Sequence, residues 1–294
     1  MSAPVPCQVE QQDRVEGTPH SFVRRPRTSW TLLTRAPLHD FPVRDEILFQ
    51  YLQVRPEMDV AEVGVGTGFT SCWLARQVKS YTGIDVSAAT VDRLLTELQH
   101  LQNAEFVCAD LSKSDMPNVV TKRFAVVFGL DVFEYVPNPD ICLQNLARVL
   151  LPGGMMLLSY PNVPPPRGDG VTWFEHKKTL EALIEGSGFG RWEVVELRLR
   201  PWAKAVYKLL HEWPIGWYRK RHEAERQADN IPQTYEQTWA FRNTQKFKRY
   251  RVVLHGAWSV LGVLTRLFGP VYGERLLSSD ENILGRQLLI RAWK

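Results

Sequence analysis

Short apolar runs alternate with helix-like patterns of apolar residues from about residue 58 onward. Apolar runs bounded by polar or glycine-rich turns predict strands that are buried on both faces, and the stretches between them predict the helices that cover the sheet. This alternation is typical of a doubly wound α/β fold with a mostly parallel sheet. We expect strands at 59–63, 80–85, 104–110, 124–129, 155–160, 192–199 and 287–293, and helices at 70–79, 88–101, 140–150 and 177–185.

The alternation is interrupted by residues 201–280, which predict helices, the longest at 244–268. This stretch holds 13 Lys/Arg against 7 Asp/Glu, and five of the ten tryptophans. Such an asymmetry marks a region with its own role, and we expect a lid or an acceptor pocket. The alternative is that the aromatic residues form a small core of their own. The chain then divides into a leader and cap helix (1–50), a core (51–200), a helical, basic, Trp-rich insertion (201–280) and a final strand (281–294).

Composition narrows the class of protein. A hydrophobic content of 44% with 23% charged residues is ordinary for a soluble globular protein. The four cysteines (Cys7, Cys72, Cys108 and Cys142) form no C-x-x-C pair, which argues against a zinc site or a disulfide framework. The sequence shows neither a signal peptide at its start nor an apolar run of the ~20 residues that a membrane span needs. We therefore expect a cytoplasmic protein with no metal site.

A glycine-rich turn follows the first predicted strand and opens a helix. It reads Glu62-Val-Gly64-Val-Gly66-Thr-Gly68. Glycines allow a tight turn and let a ligand approach the backbone, while the N–H groups at a helix start attract negative charge. Alone, such a turn is weak evidence for a nucleotide-like ligand.

Two aspartates raise the specificity of this pattern. Asp85 ends the second predicted strand and Asp110 ends the third. Ligands of open α/β sheets bind outside the carboxyl ends of the strands, where a carboxylate can accept both hydroxyls of a ribose. The alternative is that each aspartate only caps the helix that follows it. Because the two follow the glycine turn in order and at suitable spacing, we favour a ligand site.

The chemistry of the turn distinguishes two cofactors. Dinucleotide sites usually have the pattern G-x-G-x-x-G, but the third position is Phe69 counting from Gly64 and Ser71 counting from Gly66. An acidic residue such as Glu62 would repel a pyrophosphate and could help to hold an ammonium group. S-adenosylmethionine carries an amine and a sulfonium and has no phosphate, so charge favours it over a nicotinamide dinucleotide.

These motifs together resemble class I S-adenosylmethionine-dependent methyltransferases, and most closely the small-molecule branch that includes the ubiquinone-biosynthesis O-methyltransferases. The resemblance covers about residues 57–199, roughly half of the chain. It implies a Rossmann-like, seven-stranded, mostly parallel sheet with an antiparallel last strand, and it places the insertion between strands six and seven. The pieces that carry it are Glu62–Gly68, Gly83–Asp85, Cys108–Leu111, Phe124–Val136, Leu150–Gly154 and Gly188–Phe189.

The resemblance also implies roles for single residues at a cofactor site. Asp85 would hold the ribose hydroxyls, Asp110 the adenine amino group, and Glu62 the methionine amine, often through water. The glycines would line the methionine and ribose portion, and the Leu111 backbone would meet the adenine ring. The full set of implied cofactor residues is Glu62, Gly64, Gly66, Gly68, Asp85, Val86, Asp110, Leu111 and Leu130.

The sequence offers several candidates for the catalytic group. Family members often have Asp where Ala125 stands and frequently His where Tyr135 stands, so proton transfer by a histidine at that position is not open to this chain. Transfer to a hydroxyl needs a base, and histidine changes its charge near neutral pH. We therefore select His176 as the first candidate and Tyr135 as the second, with Asp131 and Glu134 as further choices. Trp30 and His39 could close the pocket.

The expected function is methyl transfer from S-adenosylmethionine to a small-molecule acceptor, with a hydroxyl as the favoured atom, in biosynthetic or secondary metabolism. The alternatives are an N- or C-methyltransferase, an NAD(P)-dependent oxidoreductase and a non-catalytic methyltransferase-like module. Aromatic, glycosidic and lipid-linked acceptors are all open. A basic helix at 244–268 offers peripheral membrane contact, although a packed core helix is the favoured explanation. No nucleic-acid-binding motif accompanies the mildly basic pI of 8.9.

Overall fold

The computed structural model describes residues 46–162, 172–209 and 260–294. Within these ranges strands and helices follow one another along most of the chain. The strands are β1 (Asp59–Val63), β2 (Ser80–Asp85), β3 (Ala104–Cys108), β4 (Phe124–Leu130), β5 (Leu150–Asn162), β6 (Arg191–Leu199), β7 (Tyr272–Leu276) and β8 (Arg286–Trp293). The helices are α1 (Glu46–Tyr51), α2 (Phe69–Leu74), α3 (Ala88–Glu97), α4 (Met116–Val119), α5 (Pro139–Val149), α6 (Lys177–Glu185) and α7 (Pro201–Tyr207), with residues 260–268 also helical.

The described strands form one sheet in the order β3-β2-β1-β4-β5-β8-β6-β7. The five strands from β3 to β5 are parallel. β8 lies between β5 and β6 and is antiparallel to both. The α/β, Rossmann-like, mostly parallel sheet expected from the sequence is therefore confirmed, and it brings the carboxyl ends of β1, β2, β3 and β4 to one edge.

The expected number of strands is wrong, because the described sheet has eight strands rather than seven. The additional strand, β7, lies inside the stretch that we predicted to be helical. Its sequence contains no apolar run, because the two residues between Gly273 and Leu276 are charged. Of its two large apolar side chains, that of Tyr272 is buried and that of Leu276 is exposed. A strand without an apolar run leaves little signal in hydrophobic periodicity.

Buried apolar side chains from the strands and helices form the core around the sheet. β1 and β2 are buried almost throughout, as parallel strands covered on both faces should be. α3 packs on β2 and β3, and α5 packs on β5. The largest fully buried side chains include Trp73, Tyr81, Phe124 and Phe128. The core therefore holds the strand ends of the candidate site in fixed relative positions.

The chain divides into two compact units. The first contains the described parts of Ile47–Arg198 and Gly273–Lys294, and the second contains Glu46 and the described parts of Leu199–Tyr272. In the second unit the rings of Trp202 and Phe268 lie 5.9 Å apart, which supports a packing role for this tryptophan. Trp213, Trp217, Trp239 and Trp258 lie outside the described residues, as do Trp30, His39 and residues 244–259 of the predicted basic helix. The lid or acceptor role of 201–280 stays a prediction, as do the segment boundaries.

Candidate functional site

The glycine turn between β1 and α2 depends on left-handed backbone at three glycines. Gly64, Gly66 and Gly68 have φ of 69°, 49° and 72°, a region that residues with a Cβ rarely adopt. The Gly64 N–H donates to the Ile84 carbonyl at 2.8 Å, which ties the turn to β2. A Cβ on Gly64 would lie 2.5 Å from Cγ2 of Val132. Both φ and space therefore require glycine at position 64.

The carboxylate of Asp85 joins this turn to the end of β2. Its Oδ2 accepts from the Gly66 N–H at 3.0 Å, and its Oδ1 accepts from the Ser87 N–H, also at 3.0 Å. The side chain that caps α3 is Ser87, whose Oγ accepts from the Thr90 N–H at 3.2 Å. Asp85 is thus not the helix cap, and its carboxylate is held against the turn by backbone amides.

Arg93 on α3 fixes the same turn from the other side. One guanidinium nitrogen donates to the Gly66 carbonyl at 2.8 Å, and another pairs with Glu97 at 3.1 Å. Both polar groups of the Gly66 backbone are therefore bonded, the N–H to Asp85 and the carbonyl to Arg93. Sequence reasoning missed Arg93, because an arginine within a helix carries no signal until the helix is placed beside the turn.

Glu62 is buried between β1, β2 and α2. The Tyr81 hydroxyl donates to Glu62 Oε2, and the Ser71 hydroxyl donates to the Tyr81 oxygen at 3.0 Å. Burial raises the pKa of Tyr81 well above its usual value, and the Glu62 carboxylate raises it further. Tyr81 therefore stays protonated at neutral pH and serves as a hydrogen-bond donor to the carboxylate.

Asp110 follows β3 by two residues and is oriented by its own loop. Its Oδ1 accepts from both the N–H and the hydroxyl of Ser112, at 2.9 and 2.6 Å. The Ser112 hydroxyl lowers the pKa of Asp110, so the carboxylate is ionised at neutral pH. Like Asp85, Asp110 is not the cap of the helix that follows it, because α4 begins at Met116 and Asp115 occupies the N-cap position. The Ala109 N–H donates to the Asp85 carbonyl at 3.0 Å, which links the two aspartate segments.

The remaining implied cofactor residues differ in exposure. Leu111 and Leu130 are buried, whereas the Val86 side chain is 69% exposed. After Leu130 the chain turns at Asp131, a non-glycine residue with φ of 52°. Its Oδ1 accepts from the Ser159 hydroxyl at 2.6 Å, which stabilises this turn at the end of β4. The carboxyl ends of β1 to β4 therefore carry the predicted residues at one edge of the sheet.

The two catalytic candidates occupy different settings. Tyr135 ends a short 3₁₀ helix after β4 and is 67% exposed. Its pKa is raised, by partial burial first and then by the Glu134 and Asp131 carboxylates, so the phenol is protonated at neutral pH. His176 precedes α6, and its Nδ1 is buried without a hydrogen-bond partner among the described residues. No hydrogen bond between described residues joins the two side chains.

An asparagine that sequence reasoning missed organises the end of β5. The Asn162 side chain donates to the carbonyls of Phe174 and Ile283, at 2.7 and 2.8 Å. Its Oδ1 accepts from the Phe174 N–H at 2.8 Å and from the Tyr160 hydroxyl at 2.9 Å. One fully buried amide thus joins the end of β5 to the segment before His176 and the segment before β8.

No described helix combines the length and the apolar character needed to cross a bilayer. Within the described ranges, the side chains of His, Cys, Asp and Glu form no group of three or more that could hold a metal ion.

The matches to known proteins lie in the part of the chain that carries the candidate site. Residues 61–158 match the family model described as a methyltransferase domain. The ubiquinone biosynthesis O-methyltransferase of Coxiella burnetii is 30% identical over 131 residues, which is 43% of this chain and 53% of that protein. The enzyme of the same name from Alkalilimnicola ehrlichii is 33% identical over 134 residues, covering 44% and 52%. The chain thus spans about half the length of these curated relatives.

Among solved structures, phosphoethanolamine N-methyltransferase 2 of Haemonchus contortus is similar over 86% of this chain and 52% of its own, with 16% identity and a TM-score of 0.48. The family match rests on the segment that contains the glycine turn, Asp85, Asp110 and Leu130. The resemblance inferred from the motifs is therefore confirmed: over residues 61–158 this chain is similar to the methyltransferase domain family, and the curated relatives are named ubiquinone biosynthesis O-methyltransferases.

Proposed function

We propose that this chain is an S-adenosylmethionine-dependent methyltransferase that acts on a hydroxyl of a small-molecule acceptor. The observation that carries the proposal is the hydrogen bond from the Gly66 N–H to Asp85. In a dinucleotide site the amides of such a turn face the pyrophosphate. Here the Gly66 amide is already bonded to a carboxylate, and Glu62 adds a second acidic group near the turn. This arrangement favours a ligand without phosphate.

The residues present fit the groups of S-adenosylmethionine. Asp85, held by two backbone amides, presents its carboxylate to the ribose hydroxyls at the end of β2. Asp110, ionised and oriented by Ser112, accepts from the adenine amino group. Glu62 holds the amine of the methionine portion, and Leu111, Val86 and Leu130 line the site. When bound, the cofactor supplies a methyl group on a sulfonium.

The choice of oxygen as the acceptor atom is supported by the names of the curated relatives, which are O-methyltransferases. A hydroxyl must lose its proton during or before transfer. Tyr135 is protonated at neutral pH, so it donates a hydrogen bond and does not act as the base. We assign the base role to His176. The rest of the rate enhancement comes from positioning, which can contribute about 7–11 kcal/mol when the reacting atoms are held in line.

A binding experiment tests the cofactor. Isothermal titration of the full chain with S-adenosylmethionine and with NADH should give saturable, micromolar-range binding for the first and none for the second. Saturable NADH binding without S-adenosylmethionine binding would contradict the proposal and favour the oxidoreductase alternative.

A transfer experiment tests the reaction. The chain is incubated with methyl-labelled S-adenosylmethionine and two matched acceptor pools, one of phenols and catechols and one of primary amines. We expect labelled products from the hydroxyl pool, identified by mass. Products only from amines would overturn the choice of oxygen. Donor binding without product from either pool or from cell extracts would favour the non-catalytic alternative.

A further inference from the structure

Asn145 connects α5 to the loop that follows β3. Its side-chain nitrogen donates to the Leu111 carbonyl at 3.0 Å and to the Lys113 carbonyl at 2.6 Å. The residue is fully buried and lies 34 positions from Leu111 in the chain. The two carbonyls flank Ser112, so one amide group fixes the backbone on both sides of that serine.

The orientation of this amide follows from its partners. Both neighbours are carbonyl oxygens, which accept hydrogen bonds, so the NH₂ group must face them. The Asn145 Oδ1 is buried and has no hydrogen-bond partner among the described residues. A buried acceptor without a donor lowers stability. An asparagine at position 145 therefore lowers the stability of the fold in one respect, through its unpaired oxygen. Its contribution is that it fixes the backbone geometry of the loop.

Ser112 transmits that geometry to Asp110. Its N–H and its hydroxyl both donate to Asp110 Oδ1. Among the described residues no donor bonds Asp110 Oδ2, which leaves this oxygen for a ligand. A shift of the carbonyls on either side of Ser112 would move both of its donors and rotate the carboxylate with them.

We propose that Asn145 is a positioning residue that orients Asp110, through Ser112, for recognition of the adenine amino group. This inference rests on the proposed function, in which Asp110 accepts from that amino group. It adds that Asn145 sets the preference for a base with an amino group over one with a carbonyl at the same position. A carbonyl would face the Asp110 carboxylate with no proton between them.

The preference can be measured with two product analogues, S-adenosylhomocysteine and S-inosylhomocysteine, which differ in that group. We expect the wild-type chain to bind the adenosyl form at least about tenfold more tightly, as one hydrogen bond to a charged group would give. Asn145→Leu and Asn145→Ser should each reduce this ratio by at least about threefold. Asn145→Ser retains a polar group and decides the question if the leucine variant does not fold.

Asn103→Leu is the control. The Asn103 amide likewise donates to backbone carbonyls, those of Ala75, Val78 and Lys79 at 2.7, 3.1 and 3.4 Å, but the residue is exposed and lies before β3 rather than after it. This variant should lose thermal stability while keeping the adenosyl preference. A purely structural role for Asn145 would give the same result in its variants.

The outcomes separate the two proposals. If the wild type prefers the adenosyl form and a folded Asn145 variant keeps the full preference, the positioning role is overturned while the proposed function stands. If the wild type binds neither analogue, the proposed function fails and the positioning role with it.

Discussion

The Gly66 N–H donates to Oδ2 of Asp85 at 3.0 Å, so one carboxylate holds the glycine turn against the end of β2. The two residues are 19 positions apart. Asp85 thus has a structural task in the turn, in addition to the proposed task of accepting hydrogen bonds from the hydroxyls of a ribose.

Replacing Asp85 tests both tasks. Asp85→Ala should weaken S-adenosylhomocysteine binding at least about tenfold, because hydrogen bonds to a charged acceptor and the anchor of the turn are lost together. Titration calorimetry measures the effect. Asp92→Ala, on the exposed face of α3, is the control and should bind as the wild type does. Equal affinities in the two variants would remove Asp85 from the site.

Arg93 should act on binding through the backbone of the turn. Arg93→Met removes the bond to the Gly66 carbonyl, and we expect affinity for the same ligand to fall about three- to tenfold. Glu97→Gln removes the ion pair of Arg93 but keeps that bond, so its affinity should change little. If both variants lose affinity equally, the ion pair rather than the turn contact is responsible.

Gly64 should be intolerant of any side chain. Gly64→Ala combines left-handed strain with a contact of 2.5 Å to Val132, and it should lower the free energy of unfolding by about 2–4 kcal/mol. Gly153→Ala has a similar φ of 75° but open space around the added Cβ, so it should cost only about 1–2 kcal/mol. Urea denaturation compares the two, and equal losses would mean that Val132 moves aside.

Glu196 on β6 should make the free energy of unfolding depend on pH in the acidic range. Burial opposes its ionisation, but hydrogen bonds from Arg198, Arg275 and Arg286 outweigh burial and lower its pKa to about 2. A lowered pKa stabilises the fold above the unfolded value of 4.5, and this contribution is lost as pH falls towards 2.

Glu196→Gln should therefore cost on the order of 1–3 kcal/mol in the free energy of unfolding at pH 7. The difference from the wild type should shrink between about pH 4.5 and pH 2. Denaturation at several pH values tests this. Glu57→Gln, which removes an exposed pair with Arg55, should change little at any pH. A gap for Glu196→Gln that does not vary with pH would contradict the assignment.

The proposed base gives a kinetic prediction. His176→Gln should lower kcat by about 100-fold or more while donor affinity stays unchanged, because general-base catalysis contributes at least that factor. Tyr135→Phe, which removes a protonated hydroxyl, should have the smaller effect on kcat. The opposite order would transfer the principal role to Tyr135.

Local sequence patterns were sufficient to predict much of the fold. The expected strands at 59–63 and 80–85 and the helix at 177–185 have the same bounds as β1, β2 and α6, because buried apolar runs and amphipathic spacing act within a few residues. β7 was missed because it lacks an apolar run; its Arg275 pairs with Glu196 and Glu281 from elsewhere in the chain.

The candidate site likewise contains residues that a local sequence pattern marks and residues that no such pattern marks. The glycines, Asp85 and Asp110 follow strands and could be predicted from their place in the motif. Arg93, Asn145 and Asn162 act through hydrogen bonds to partners up to 121 positions away, and no local pattern marks them. Which side chain supports a site residue becomes visible only once distant segments are brought together.

The position of β8 between β5 and β6 constrains the order in which the sheet can assemble. Met155 pairs with Trp293, and Arg191 pairs with the same residue from the other side. During synthesis β5 and β6 are therefore made before β8, which lies between them. The edges of β5 and β6 that pair with β8 stay unpaired until β8 has been synthesised. Such distant pairing slows folding, so β8 is the segment whose loss would leave two exposed edges prone to aggregation.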